Sequence, residues 1–373
     1  MHLPISYQTK GFSFTTKAFC FYRKFNKIKL LIADSASSLY IFPILVLIMR
    51  IQAPIHSGFD KTSTASQVIA GLPLAGKTAI ITGGHSGLGL ECTKALATAK
   101  VNVIVAARNV DTAEKSLRGI PNVKVMPLNL ADFASIEHFS NAIVGSPVRV
   151  DILICNAGIM ACPEQRMGKD WESQFATNHI GHYALTNQIW STLKPGARVV
   201  CVSSAGHHNS RIRWDDIHFH HSPYDKWIAY GQSKTANALF ALQLDEYGKE
   251  FDIRAFSLHP GKILTPLQRY LSIKEMYDAG WTDMEGNVID QTFKTLQQGA
   301  ATQLWAATSP KLKGLGGLYL EDCEVASPAT SQGTFVGVCD FAVDLGEAQK
   351  LWDYTAKITH INAFKTPTKI LGN

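Results

Sequence analysis

From Lys77 onward, short uninterrupted apolar runs alternate with longer stretches whose apolar residues recur at helical spacing. Residues 78–82 (Thr-Ala-Ile-Ile-Thr), 102–107, 123–128, 151–155, 198–202 and 253–258 read as strands. A strand that is apolar at every position is covered on both faces, which is the condition of a parallel sheet. Residues 87–99, 111–117, 134–144 and 229–247 read as helices. The spacing therefore predicts βαβ units, and the fold class is α/β with a doubly wound parallel sheet.

Charge separates the chain into parts. The whole carries 36 Lys and Arg against 30 Asp and Glu, a formal net charge of +6. All six of the excess lie in Lys10, Lys17, Arg23, Lys24, Lys27 and Lys29, ahead of the first acid, Asp34. The remainder is balanced, which excludes a basic nucleic-acid-binding face. Residues 1–48 read as a basic, partly apolar extension, residues 49–74 as a lead-in segment, and residues 75–373 as a catalytic domain. Within the extension, residues 39–49 form an apolar run of eleven broken by Pro43; a bilayer span needs about 20. The extension is expected to be poorly ordered, with Met49 as the working start. A presequence and a signal anchor remain alternatives, so membrane association and organellar targeting stay open. Seven cysteines, scattered and never spaced CxxC, fit a reducing compartment, and the cytoplasm is the expected location.

The first strand runs directly into Thr82-Gly83-Gly84-His85-Ser86-Gly87-Leu88-Gly89, which opens a helix. Glycines permit the tight turn and let a pyrophosphate approach the backbone, while the helix N-terminus supplies free N–H groups. Flanked by strand and helix, this loop is a strong dinucleotide signal and makes the sheet a Rossmann fold. The second strand ends Ala106-Ala107-Arg108 with no carboxylate before Asp111. A missing acid and a present base both point to NADP(H), with Arg108 on the 2′-phosphate.

Tyr230 and Lys234 stand four residues apart on one helix face. A nearby ammonium is expected to lower the tyrosine pKa towards working pH. Ser203 and Ser204 end the fifth strand, at the crevice. Trp171, Phe175, Asn178, His182, Leu185, Ile189 and Leu193 form one helical stripe, interrupted by the amide of Asn178. Residues 266–292 read as a substrate loop, and Trp227, Tyr270, Tyr277 and Trp281 are candidates for an apolar pocket. His207, His208, His218, His220 and His221 read as an exposed insertion rather than a metal site. Arg211 and Arg213 read as solvated loop charges.

These residues resemble the short-chain dehydrogenase/reductase superfamily, over residues 75–320 and on towards the C-terminus. The likeness is carried by the glycine loop, Asn156-Ala-Gly158, Asn178, Ser204, Tyr230-Gly-Gln-Ser-Lys234 and Pro260-Gly261. Arg108-Asn109, Thr177-Asn-His-Ile-Gly-His182, the insertion between Ser204 and Tyr230, and Gln298-Gly-Ala-Ala-Thr302 narrow it to the branch of retinol dehydrogenases, WW-domain oxidoreductases and protochlorophyllide-reductase-like proteins. The resemblance implies four catalytic residues. Tyr230 is the general acid/base, Lys234 tunes it and holds the nicotinamide ribose, Ser204 polarises the substrate carbonyl, and Asn178 supports a proton relay. It implies cofactor contacts from Gly83, His85, Ser86, Gly87, Leu88, Gly89, Arg108, Asn129, Leu130, Asn156, Gly158, Pro260, Gly261, Ile263 and Thr265, besides Tyr230 and Lys234. Three positions depart from the pattern: Asn129 stands for an Asp, Cys155 for an Asn, and Lys100 for a glycine. If Lys100 is left-handed it costs about 1 kcal/mol.

The implied activity is NADP(H)-dependent hydride transfer to or from a small-molecule alcohol or carbonyl, lipophilic by the branch resemblance. Neither nucleic acid nor metal is expected, and a homo-oligomer is left open. The competing class is a dinucleotide-binding sensor or scaffold with vestigial catalysis, against which the intact Ser204, Tyr230 and Lys234 argue.

Overall fold

The computed structural model describes residues 52–330 and 335–364. The basic extension and its apolar run lie outside the described residues.

Strands β1 (Thr78–Thr82), β2 (Asn102–Ala107), β3 (Val123–Pro127) and β4 (Val150–Cys155) alternate with helices α2 (Gly87–Thr98), α3 (Val110–Leu117) and α4 (Phe133–Val144). A two-residue hairpin, β5 (Arg166–Met167) with β6 (Trp171–Glu172), precedes helix α5 (Gly181–Gln188). Then come β7 (Leu193–Val202), helix α6 (Lys226–Gly248), β8 (Arg254–His259), helices α7 (Ile273–Asp278) and α8 (Leu296–Thr308), β9 (Leu318–Glu321), β10 (Glu324–Val325) and helix α9 (Leu345–Thr359). Among the described residues, eight strands form one sheet in the order β3-β2-β1-β4-β7-β8-β9-β10. Every pairing is parallel except β9 with β10. The doubly wound expectation holds, and β9 and β10 extend it beyond the six strands read from the sequence.

The apolar strands are explained by their two faces. Ala79 and Ile81 of β1 join Val103 and Val105 of β2 in one core with Leu96, Leu304 and Trp305. Ile80 and Ile104, one residue out of phase, join Leu153, Phe139, Tyr183 and Phe240 in the other. Period-two alternation thus buries both faces of the same strand. Helix starts are fixed by short polar side chains: Asn109 accepts from the Thr112 N–H, Asp132 from that of Ala134, and Asp225 from those of Trp227 and Ile228.

The lead-in segment is part of this body. Helix α1 (Ala65–Ile69) buries Ala65, Val68 and Ile69 in the first core. The Gln52 amide donates to the Tyr319 and Ala326 carbonyls.

Two expectations need correction. The stripe from Trp171 to Leu193 is not one helix: Trp171 is in β6, residues Ser173–Phe175 make one α-turn, Ala176–Ile180 are π-helical, and Leu193 begins β7. The His-rich segment is not uniformly exposed, since His207 and His218 are buried while His220 and His221 face solvent. Buried imidazoles must be satisfied. His218 receives the Glu172 N–H on Nδ1 and pairs with the Tyr354 hydroxyl through Nε2.

Lys100 takes φ +62°, in the left-handed region, and is exposed. A Cβ there approaches the following carbonyl oxygen. Lys100→Gly is expected to stabilise the protein by about 1 kcal/mol, read as a higher denaturation midpoint; an unchanged or lower midpoint contradicts the strain.

Candidate active site

Strand order reverses at β1, which has β2 on one side and β4 on the other. Open α/β sheets bind ligands at the carboxyl ends of the strands beside such a point. A cleft of about 1460 Å³ lies here. It is lined by Gly83, His85–Leu88, Arg108, Asn129, Leu130, Asn156, Gly158, Ser204, Tyr230, Lys234, Pro260, Gly261, Ile263 and Thr265. Gly89 lies beneath the turn, and Asn178 is buried behind the cleft wall.

The glycine loop is shaped for close approach. Gly83 and Gly87 have φ of +67° and +51°, where a side chain is strained. A Cβ on Gly89 would stand 2.5 Å from the Gly83 carbonyl oxygen and 2.6 Å from Asn156 Nδ2. The loop enters a twelve-residue helix, whose first N–H groups have no partner within the helix. His85 leaves Nδ1 buried and unpartnered, and burial lowers its pKa. A backbone cradle at a helix start, with an unpaired polar atom, fits a dinucleotide's phosphates.

The end of β4 is stitched to β1. Asn156 Nδ2 donates to the Thr82 carbonyl at 2.9 Å, and the Asn156 and Ala157 N–H groups donate to Thr82 Oγ1 at 2.9 and 3.0 Å. Asn156 therefore shapes the cradle. Gly158 gives the chain passage: a Cβ there would lie 3.1 Å from Asn178 Oδ1 and 3.6 Å from Lys234 Nζ.

Asn178 sits in the π-helical turn and is fully satisfied. Its Oδ1 accepts from the Ile159 N–H, and its Nδ2 donates to the Ile159 carbonyl and to Ser233 Oγ, each at 2.9 Å. Its backbone carbonyl accepts from His182 Nδ1 at 2.8 Å. His182 Nε2 meets Thr82 Oγ1 at 2.9 Å. Burial holds the His182 pKa down at about 4, so the ring is neutral.

Ser204 lies at the mouth of β7. Its Oγ accepts from the Gly206 N–H at 3.0 Å, and a Cβ on Gly206 would lie 2.8 Å from Tyr230 Cε1 and 3.4 Å from Ser204 Oγ. Ser203 is buried and spends its hydroxyl on the Lys234 carbonyl at 2.7 Å. Lys234 Nζ donates to the Val202 carbonyl at 3.0 Å and lies 5.6 Å from the Tyr230 ring centre. Burial pushes Tyr230 up to about 12, opposed by the Ser204 hydroxyl, and brings Lys234 down to about 8. Desolvation disfavours the charged form of each. The expected lowering of the tyrosine by its lysine is thus not what the resting side chains do.

Sequence reasoning passed over several supports. Gly206 lies flat on the Tyr230 ring, where a Cβ would meet Cε1 at 2.8 Å; the Ser204-Ala-Gly206 spacing was the available signal. His207 Nε2 accepts from the Cys339 N–H at 3.1 Å, and its Nδ1 donates to the Ser204 carbonyl at 2.7 Å. His207, His208 and Cys339 bring their ligating atoms within 4.8 Å of one another. Both His207 nitrogens are already engaged by backbone, which leaves that imidazole no lone pair for a metal.

Elsewhere, Asn129 Oδ1 accepts from the Ala131 N–H at 3.2 Å. Arg108 is exposed at the end of β2. Trp227 and Trp281 meet edge to face at 6.4 Å and line the cleft, while Tyr270 and Tyr277 face solvent. With Met160, Leu267 and Leu271 the two tryptophans build an apolar wall around Tyr230. Arg211 stacks on Phe341, and Arg213 on Phe219, both away from the cleft.

The profile of a family described as short chain dehydrogenase matches residues 77–276. A Streptomyces antibioticus protein named "Probable oxidoreductase" is 40% identical over 294 residues, 76% of this chain and 97% of its own. The Brassica napus short-chain dehydrogenase TIC 32 B, chloroplastic, is 37% identical over 81% of this chain and 94% of its own. The WW domain-containing oxidoreductase of Drosophila melanogaster is 33% identical over 74% and 69%. Among solved structures, an uncharacterized Mycobacterium paratuberculosis protein superposes with TM-score 0.62 at 31% identity, covering 81% of this chain and 98% of that one. The Pseudomonas aeruginosa RhlG/NADP complex shares the fold at TM-score 0.52 and 21% identity, over 70% and 98%.

The cradle makes a graded stability prediction. Gly89→Ala should cost about 1–3 kcal/mol by overpacking against two fixed atoms, read by chemical denaturation. Gly87→Ala, whose Cβ finds nothing nearer than 3.5 Å, should cost less and only through its φ. Equal losses would contradict the geometry.

Proposed function

The chain belongs to the short-chain dehydrogenase family, and from that premise we propose that it is an NADP(H)-dependent oxidoreductase of a lipophilic alcohol or carbonyl compound. The family and its oxidoreductase relatives carry the coarser statement, a dehydrogenase or reductase using a nicotinamide dinucleotide. The finer one rests chiefly on a single observation: Ser204, Tyr230 and Lys234 line the same cleft as the glycine loop, with Lys234 Nζ 5.6 Å from the Tyr230 ring centre.

Bound dinucleotide would supply or take up the hydride. Every proton step belongs to the chain. Tyr230, held protonated by burial, donates its phenolic proton to a carbonyl oxygen in reduction and recovers it in the reverse direction. Ser204 Oγ orients that oxygen. Lys234, poised near 8 by burial, steadies the phenolate electrostatically while charged. Asn178 holds the end of β4 in register with Ser233 of α6, so the relay side of the site is fixed rather than adaptable.

Arg108 supports NADP(H) over NAD(H): it is exposed at the cleft, and no carboxylate of this segment lies before Asp111. The apolar wall around Tyr230 supports a lipophilic substrate. Tyr270, Ile273, Tyr277, Met284, Val288 and Ile289 are also exposed along the substrate loop. The reading keeps the cytoplasm as location, with an organellar alternative supported by the chloroplastic names of two relatives. Among the described residues no helix is long and apolar enough to cross a membrane. Self-association and membrane attachment belong to the same open set of expectations.

Tyr230→Phe should bind NADPH like the wild type and lose carbonyl reduction by about 10²-fold or more. Equal turnover by the two proteins would remove Tyr230 from the chemistry. Arg108→Ala should weaken NADPH binding by about tenfold and leave NADH binding unchanged, measured by titration. A wild-type preference for NADH would overturn the NADP assignment.

A further inference from the structure

The lead-in segment reaches the same cleft. Lys61 and Thr62 line it together with the glycine loop, Ile263 and Thr265. They sit on a turn with little freedom. Asp60 Oδ1 accepts from the Thr62 N–H at 2.8 Å and from Thr62 Oγ1 at 2.6 Å, and the Asp60 N–H donates to Ser63 Oγ at 3.0 Å. Thr64 and Gln67 close a capping box at the start of α1, which is anchored in the core. From the other side, Gln298 Nε2 donates to the Thr62 carbonyl at 3.3 Å. The neighbouring Gly299 packs on Ile263 and Leu88, where a Cβ would stand 2.6 and 2.8 Å from their side chains. The turn is thereby held beside the helix-opening end of the glycine loop.

The charges at the cleft are mostly committed. Lys262 pairs with Asp290 at 2.9 Å, Lys294 with Asp322, and Lys234 with the Val202 carbonyl. Arg269 donates to the Pro266 carbonyl. Among the described residues, Lys61 and Arg108 are the cleft-lining cations that make no hydrogen bond or ion pair within the protein. The glycine loop itself offers no cation, because burial lowers the pKa of His85. Asp60, the adjacent acid, spends its carboxylate on its own turn.

We infer that Lys61, presented by the Asp60–Thr64 turn, is the cationic ligand of the dinucleotide's bridging pyrophosphate, while Arg108 answers the 2′-phosphate. This rests on the dinucleotide reading of the cleft. An ammonium is a compact point charge on a flexible stem and suits a bridging diphosphate without demanding bidentate geometry. The segment ahead of the first strand then contributes to cofactor binding as well as to the core.

The test is equilibrium binding to the full chain, followed by quenching of tryptophan fluorescence, with NADPH, NADH and adenosine 2′-monophosphate as probes. Lys61→Ala should weaken NADPH and NADH by the same factor, about threefold to fivefold. Lys61→Glu should weaken both by about tenfold or more, an effect that shrinks as salt is raised. Affinity for adenosine 2′-monophosphate, which has no pyrophosphate, should not change. Wild-type affinity for both dinucleotides in Lys61→Ala and Lys61→Glu would overturn the assignment and leave the dinucleotide reading standing. Weakening of NADPH and adenosine 2′-monophosphate, with NADH unchanged, would move Lys61 to the 2′-phosphate and overturn it as well. Failure of the wild type to bind either dinucleotide would overturn the underlying reading itself.

Discussion

The hydroxyl of Thr82 is the point on which the site depends. It is buried at the end of β1 and accepts two backbone N–H groups, from Asn156 and Ala157. A hydroxyl with two lone pairs occupied has one proton left to give. The neutral His182 ring takes it on Nε2, which forces its own proton onto Nδ1 and so onto the Asn178 carbonyl. One side chain thus fixes the glycine loop, the end of β4 and the tautomer of a histidine on a third element. Removing it would leave the part-buried Asn156 and Ala157 N–H groups and the buried His182 Nε2 without that partner, at a cost of about 1–3 kcal/mol for a buried polar group left unsatisfied.

Around this fixed frame the electrostatics are left unfinished. Burial raises Tyr230 and lowers Lys234, so the low-dielectric site disfavours phenolate and ammonium alike. The side chain that pulls Tyr230 the other way is the Ser204 hydroxyl. Coulombic help from Lys234 depends on its proton, and that proton is held loosely at a position already engaged by the Val202 carbonyl. Charge balance in the cleft is therefore set by what occupies it, and the protein's contribution is position and exclusion of water.

Much of this was legible in the sequence, for physical reasons. The strands β1, β2 and β4 announced themselves because both faces are buried, which leaves unbroken apolar runs. Tyr230 and Lys234 were legible because α6 is a long regular helix and spacing converts directly into a shared face. Lys100 was legible as a misfit and does take a left-handed φ. What escaped depends on contacts distant in sequence. β9 is four residues long and acquires its role only by pairing with β8. His207 looked like part of an exposed, histidine-rich loop; its burial follows from bonds to Ser204 and to Cys339, 132 residues away. Residues 49–74 read only as a lead-in segment, because the partners of Gln52 and Thr62 lie more than 230 residues downstream.

The helical stripe through Asn178 failed for a more instructive reason. Its spacing was right over Gly181–Gln188 and wrong at its start, because Ala176–Ile180 takes one residue too many per turn. The Gly181 N–H reaches back to the Ala176 carbonyl, five residues away, the signature of a π-turn. One inserted residue rotates what precedes it by about 100° about the helix axis. That rotation brings the Asn178 amide to the Ile159 backbone and to Ser233 rather than to the helix's own neighbours. A π-turn is intrinsically poor, so it persists only where side-chain bonds make up the difference. Here Asn178 supplies three and His182 a fourth. The polar interruption of an apolar stripe was therefore the sign of the distortion: from the π-turn, Asn178 ties the segment after β4 at Ile159 to Ser233 of α6.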